Sequence, residues 1–238
     1  MSHLCWSAAC CKFADLLATL AAKDWLYFKV GIPSRRTDPT TDGSSKKNRF
    51  VLSVLVGGAV TLSAIIQSTM AIHLLTILQA QGVKLAAAVA LGGLVGPSQV
   101  LARILEMIIG RHFHPIWTML SSTVLVTTGL VLLSFHLPVV ALGLVFFGAG
   151  MGIMSIARGT VPLVVFGAPG YAVLMGQLAA PSSIAQAISP LLGAVILGFG
   201  GVTEILFSLC GVALVNVMLV GLLALASGRL ESKRRPVF

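Results

Sequence analysis

From residue 50 onward the chain alternates long apolar runs with short breaks. Six runs of about 20 residues, enough to cross a bilayer as helix, are expected near residues 51–78, 85–109, 116–135, 139–157, 171–199 and 205–226. The breaks are Gln81-Gly82, residues 111–115, Pro138, residues 167–170 and Gly200-Gly201, rich in turn-forming and helix-ending residues. The second run is the unusual one. Wound as a helix, it places Gly92, Gly96, Gln99, Arg103, Glu106 and Gly110 within an arc of roughly 80°. A charge near mid-membrane costs roughly 2.5–3.5 kcal/mol on insertion scales, so such residues are rarely left facing lipid. This stripe is expected to face protein or water.

Composition agrees with the pattern. The chain is 57% hydrophobic and 10% charged, with mean hydropathy +0.99, against about 25% charged residues in a soluble domain. The net charge of +9 raises nucleic acid as a partner, but the charges flank the spans. Eight basic residues lie between Lys12 and Arg49, and Arg229, Lys233, Arg234 and Arg235 follow the last span. Aromatic residues do not interleave with them, which argues against a nucleic-acid partner. An even number of spans puts both termini on one side, together with Arg111 and Arg158. The opposite loops hold only Lys84. This bias orients both termini to the cytoplasm, at a plasma or inner membrane.

Three regions follow: 1–49, 50–227 and 228–238. In the first, Phe13, Leu16, Leu17 and Leu20 sit at helical spacing between Lys12 and Lys23, which reads as an interfacial helix. Residues 32–49 read as a flexible tether. No basic residue precedes the first apolar stretch, which disfavours a signal peptide. Cys5, Cys10 and Cys11 lack a second ligand group, and His112 and His114 lack a third ligand, so no metal or cofactor is expected.

The second and fifth spans share a pattern. Gly92, Leu94, Pro97, Ser98 and Ile104 reappear as Gly176, Leu178, Pro181, Ser182 and Ile188, all at an offset of 84 residues. That offset equals about three spans with their loops, and an odd number of spans makes two such units inverted in the membrane. The competing reading is coincidence among common membrane residues. Further stripes of small or polar residues are Ser53, Gly57, Ala64, Gln67 and Ala71 in the first span and Gly148, Gly152, Ser155 and Gly159 in the fourth. Ser182, Gln186, Ser189 and Gly193 form another in the fifth. Close helix packing accounts for the glycines. The sixth span has only Asn216 as a strongly polar interior residue, which fits a supporting helix.

The run GPSQVLARILEMIIGRHFHP over residues 96–115, then GAGMGIMSIARGTVP over 148–162 and residues 176–190, resembles the C-terminal half of a major facilitator superfamily transporter. The resemblance spans roughly residues 50–226. It implies an all-α membrane protein whose six transmembrane helices form two inverted three-helix repeats. In that family two such halves enclose the transport path, lined in this half by its first, second, fourth and fifth helices. Glu106, Gly110, Arg111 and His112 fall where the family carries a loop motif, with three residues rather than two before the glycine. The chain supplies one half, so a truncated member or an assembly with a second half or second copy is expected.

The expected function is a secondary transporter moving a small solute by alternating access, with a non-transporting remnant or accessory protein as the alternative. An intramembrane serine hydrolase does not fit, because Ser155 lacks the required glycine-flanked turn and a histidine on a neighbouring span. The chain is therefore not read as an enzyme. Candidate path or coupling residues are Gln67, Gln99, Arg103, Glu106, Arg158, Gln177 and Gln186. Arg103 and Glu106 can pair. Either they face the path, with Glu106 the proton carrier, or they form a fixed ion pair with Arg103 snorkelling to water. Arg158 reads more readily as an anchor at the end of the fourth span. The glutamine amides can contact substrate or join helices. His73 is expected to be a satisfied core histidine.

Overall fold

The computed structural model describes residues 43–110, 115–134, 140–166 and 171–232. The chain divides into the units Met1–Asp42 and Gly43–Phe238, and all described residues belong to the second. They form α1 (Gly43–Ala80), α2 (Leu85–Gly92), α3 (Val95–Ile109), α4 (Pro115–Ser134), α5 (Val140–Phe166) and α6 (Tyr171–Ser232). No strand occurs among the described residues. The interfacial helix and three cysteines expected before residue 43 lie outside the described residues, as do residues 233–238. The tether expected over 32–49 is corrected at its end, because residues 43–49 already belong to α1. No proline interrupts the sequence from Gly43 to Ala80, so nothing there removes a helical N–H.

Among the described residues, five helical spans are long and apolar enough to cross a membrane: Phe50–Ala80, Leu85–Ile109, Pro115–Ser134, Val140–Val164 and Tyr171–Ser227. The protein is thus an all-helical membrane protein. The second span is broken between α2 and α3. Pro97 has no N–H to offer the Gly93 carbonyl, and the chain tightens just before it. There the Leu94 N–H bonds the Leu91 carbonyl at 3.0 Å.

Helix α6 cannot be one straight rod. At 1.5 Å per residue, 62 residues would run about 93 Å, three times the hydrocarbon thickness of a bilayer. It bends at Gly201, where φ is 75° and ψ is −167°, a conformation reserved almost wholly for glycine. Contacts with α1 show that the chain reverses there. Along 171–200, Leu178 meets Gly57 and Gly193 meets His73, so that segment runs parallel to α1. Along 202–232, Leu219 meets Gly58 and Asn216 meets Ser63, which is the antiparallel sense. A Gly201→Ala variant is expected to lose roughly 1–3 kcal/mol from backbone strain, read as a lower midpoint of denaturant unfolding. An unchanged midpoint would contradict this turn.

Two apolar clusters fill the bundle. One joins Ile77, Leu78, Leu133, Leu144, Ile205 and Leu209 toward the Gly201 end. The other joins Leu52, Val56, Met119, Met154, Leu178 and Leu223 toward the opposite end. A close seam joins α4 and α5. Gly129 sits against the Phe147 and Gly143 backbone, and Gly150 against the Ser122 carbonyl and Val126. Helix α5 then presents Gly148 and Gly152 to Ser98 and the Gln99 backbone on α3. Residue 148 lies by 98 and 152 by 99, so α3 runs parallel to α5.

Candidate functional site

Two polar seams tie α6 to α1, the first through helical backbone and the second between side chains. Pro190 lacks an N–H, which frees the Gln186 carbonyl four residues earlier. Ser68 of α1 donates to that oxygen at 2.9 Å, and Ser189 donates to it at 3.3 Å. One turn on, Thr69 donates to the Ser189 carbonyl at 3.5 Å. His73, 8% exposed, places Nε2 3.1 Å from the Pro190 carbonyl and donates to it in the Nε2–H tautomer. Its ring lies over Gly193, where a side chain would collide. His73 is therefore a satisfied core histidine, as expected. Ser182, Ser189 and Gly193 are buried, with Ser189 and Gly193 turned to α1, so this stripe is a packing seam. Its signal in the sequence was Pro190, whose freed carbonyl requires a donor.

The second seam is lone. Asn216, 2% exposed, donates through Nδ2 to Ser63 Oγ at 2.9 Å, locking 202–232 onto α1. This matches a supporting role for the sixth span.

The candidate path residues separate into three groups. Gln67, Arg103 and Gln177 are exposed, and Gln99 is half-buried. The exposed face of 171–200 near Gln177 also carries Gly176 and Ser183. Glu106 behaves differently: it is half-buried and its Oε1 accepts from Thr118 Oγ1 at 2.7 Å, tying α3 to α4. Arg103 stays exposed, and no ion pair joins it to Glu106 among the described residues. Gln186 is half-buried, and its backbone carbonyl serves the α1 seam.

Arg158 corrects an expectation. The fourth span was placed over 139–157, with Arg158 at its end, but α5 continues to Phe166. Arg158 thus lies about 12 Å from that helix end. It is half-buried and its Nε is buried without a hydrogen-bond partner. Beside it, the Gly159 carbonyl accepts from the Tyr171 hydroxyl at 2.8 Å, joining α5 to α6. Pro162 does not stop the helix, because the apolar run from Val161 to Phe166 continues across it.

Sequence reasoning missed Thr118 as the partner of Glu106. The two also line a cavity of about 560 Å³ with Ile109, Gly110, Trp117 and Ser121 at the end of α3 and start of α4. No group of three or more potential metal ligands occurs among the described residues. No family model, curated protein or solved structure matches the chain.

Proposed function

We propose that the protein is a secondary transporter of the major facilitator type, supplying one six-helix half and moving a small solute by alternating access. The observation that carries this reading is the set of Gln67, Gln99, Arg103 and Gln177. All four sit on apolar spans, make no side-chain hydrogen bond among the described residues and remain open to the surroundings. Lipid cannot satisfy an amide or a guanidinium, and polar groups at membrane depth face protein or a water-filled cavity. A path shared with a second half, or with a second copy, meets that need.

The arrangement of helices lends support. In this reading the reversal at Gly201 divides the long helix into two passes, which makes six. The second, 85–109, lies parallel to α5, the fourth, and the fifth, 171–200, lies parallel to α1, the first. An exchange of passes one to three with passes four to six relates these two pairings, as two inverted repeats require. The Pro-Ser pairs behave alike: Ser98 donates to the Val95 carbonyl at 2.8 Å, and Ser182 to the Ala179 carbonyl at 2.9 Å. Both serines are buried. The excess of Lys and Arg toward the chain ends supports a cytoplasmic side for both termini in this reading. Glu106 is the proton carrier in this reading, and Arg158 a charge held inside the bundle.

Proteoliposomes with an acid-outside gradient, offered a mixture of sugars, amino acids and organic ions, test the reading by mass spectrometry of the trapped solutes. At least one solute is expected to accumulate on the order of tenfold over protein-free liposomes, a driving force of about 1.4 kcal/mol. Glu106→Gln is expected to abolish the gradient dependence. Accumulation of nothing by the chain would favour an accessory protein instead.

A further inference from the structure

The cavity between α3 and α4 carries an independent assignment. It lies where Glu106 has one partner among the described residues, the Thr118 hydroxyl. Its remaining lining is the indole of Trp117, which is 61% exposed, the Ser121 hydroxyl, Ile109 and the backbone of Gly110. The Ser121 hydroxyl is already engaged, donating to the Thr118 carbonyl at 2.9 Å. No basic side chain appears among the described residues of that lining. A half-buried carboxylate at a membrane span, with one hydrogen bond and no counter-ion among the described residues, is incompletely compensated, because a charge taken out of water needs both a partner and its bonds. An anion is excluded by repulsion from Glu106, and a neutral polar ligand leaves the charge uncompensated. A cation removes the deficit, and an exposed indole adds cation–π attraction. The volume of about 560 Å³ falls within the range of small-molecule sites, and Ile109 with the indole accommodates an apolar body.

We propose that this cavity binds organic ammonium groups, with the Glu106 carboxylate as counter-ion and the Trp117 ring as second contact. The ammonium is carried either by a free amine or by an aminophospholipid headgroup. This site does not depend on the transport reading, since binding is measured without flux.

The test uses the full chain in dodecyl maltoside micelles, which contain no amine. Trp6 and Trp25 are replaced by phenylalanine so that Trp117 is the only tryptophan. Titration with n-hexylamine at neutral pH is expected to give a saturable change in Trp117 fluorescence, and n-hexanol none. Glu106→Gln is expected to weaken amine binding at least about tenfold. Glu106→Asp, which keeps the charge, is expected to stay within a few-fold of the parent. If added phosphatidylethanolamine competes with hexylamine and phosphatidylglycerol does not, the natural occupant is a headgroup. If neither competes, it is a free amine. Equal responses to amine and alcohol, or undiminished binding in a folded Glu106→Gln protein, would overturn the assignment. Failure here would leave solute accumulation in proteoliposomes untouched.

Discussion

Replacing Gly129 or Gly150 by valine is expected to cost about 3 kcal/mol of bundle stability, at the upper end of typical overpacking penalties. A Cβ on Gly129 would stand 2.5 Å from the Phe147 nitrogen and 2.7 Å from the Gly143 carbonyl. One on Gly150 would stand 2.7 Å from the Ser122 carbonyl and 2.8 Å from the Val126 nitrogen. These neighbours are backbone, so no rotamer change relieves the clash and the two helices must separate. Separation would also loosen Val126, Leu130, Leu133, Leu144 and Phe147, which share one apolar cluster. Gly211 is the control. It lies on an outer face with nothing within 4 Å of an added Cβ, and Gly211→Val is expected to change stability by less than about 0.5 kcal/mol. Unfolding in mixed detergent followed by circular dichroism reads all three. Equal midpoints for the three variants would contradict the close α4–α5 seam.

Small residues drive this seam because lipid tails give helices no hydrophobic reason to associate. The backbones approach closely at Gly129, Gly143 and Gly150, and dispersion contacts replace the missing solvent term. The same economy appears on the other side of α5, where Gly148 and Gly152 receive α3. Such glycines were legible in the sequence as stripes at helical spacing. What spacing does not encode is the partner. The fourth-span stripe was read without knowing that it faces the second span, and the fifth-span stripe proved to face α1.

The apolar runs placed the helical spans closely, since length and hydropathy decide membrane crossing almost alone. The second span agrees at both ends with the helical stretch Leu85–Ile109. The turn at Gly200-Gly201 was legible because only glycine tolerates the backbone that reverses the chain there. The fourth span is expected to end beside Arg158, whose charge reads as an anchor, whereas the helix continues to Phe166. The candidate site was legible residue by residue, not in its partnerships. Arg103 and Glu106 stand three residues apart, a spacing that permits pairing. The structure turns Glu106 to Thr118 on the next helix and leaves Arg103 outward. A hydroxyl on another helix is invisible to spacing along one helix.

This division of the two charges sharpens the second large effect. If Arg103, Gln67, Gln99 and Gln177 faced lipid, each would sit in hydrocarbon unsatisfied. Arg103 alone would then cost roughly 2.5–3.5 kcal/mol on insertion scales. A water-filled path removes that cost and makes a sharp kinetic prediction. A thiol placed on the path ionises in water, whereas one in hydrocarbon stays protonated and unreactive. Two units of thiol pKa between those surroundings correspond to on the order of a 100-fold difference in thiolate.

The most direct test of the path is therefore cysteine labelling in right-side-out and inside-out membrane vesicles. Cys5, Cys10, Cys11 and Cys210 are first replaced by serine, and single cysteines then stand at Gln67, Gln99 or Gln177. Leu101 and Ile184, which are 59% and 61% exposed apolar positions, serve as lipid-facing controls. A membrane-impermeant quaternary ammonium methanethiosulfonate is expected to modify the three glutamine positions on the order of 100-fold faster than the controls. Alternating access predicts that at least one of the three reacts from both sides of the membrane. Uniformly slow labelling at all five positions would contradict a solute path at these residues.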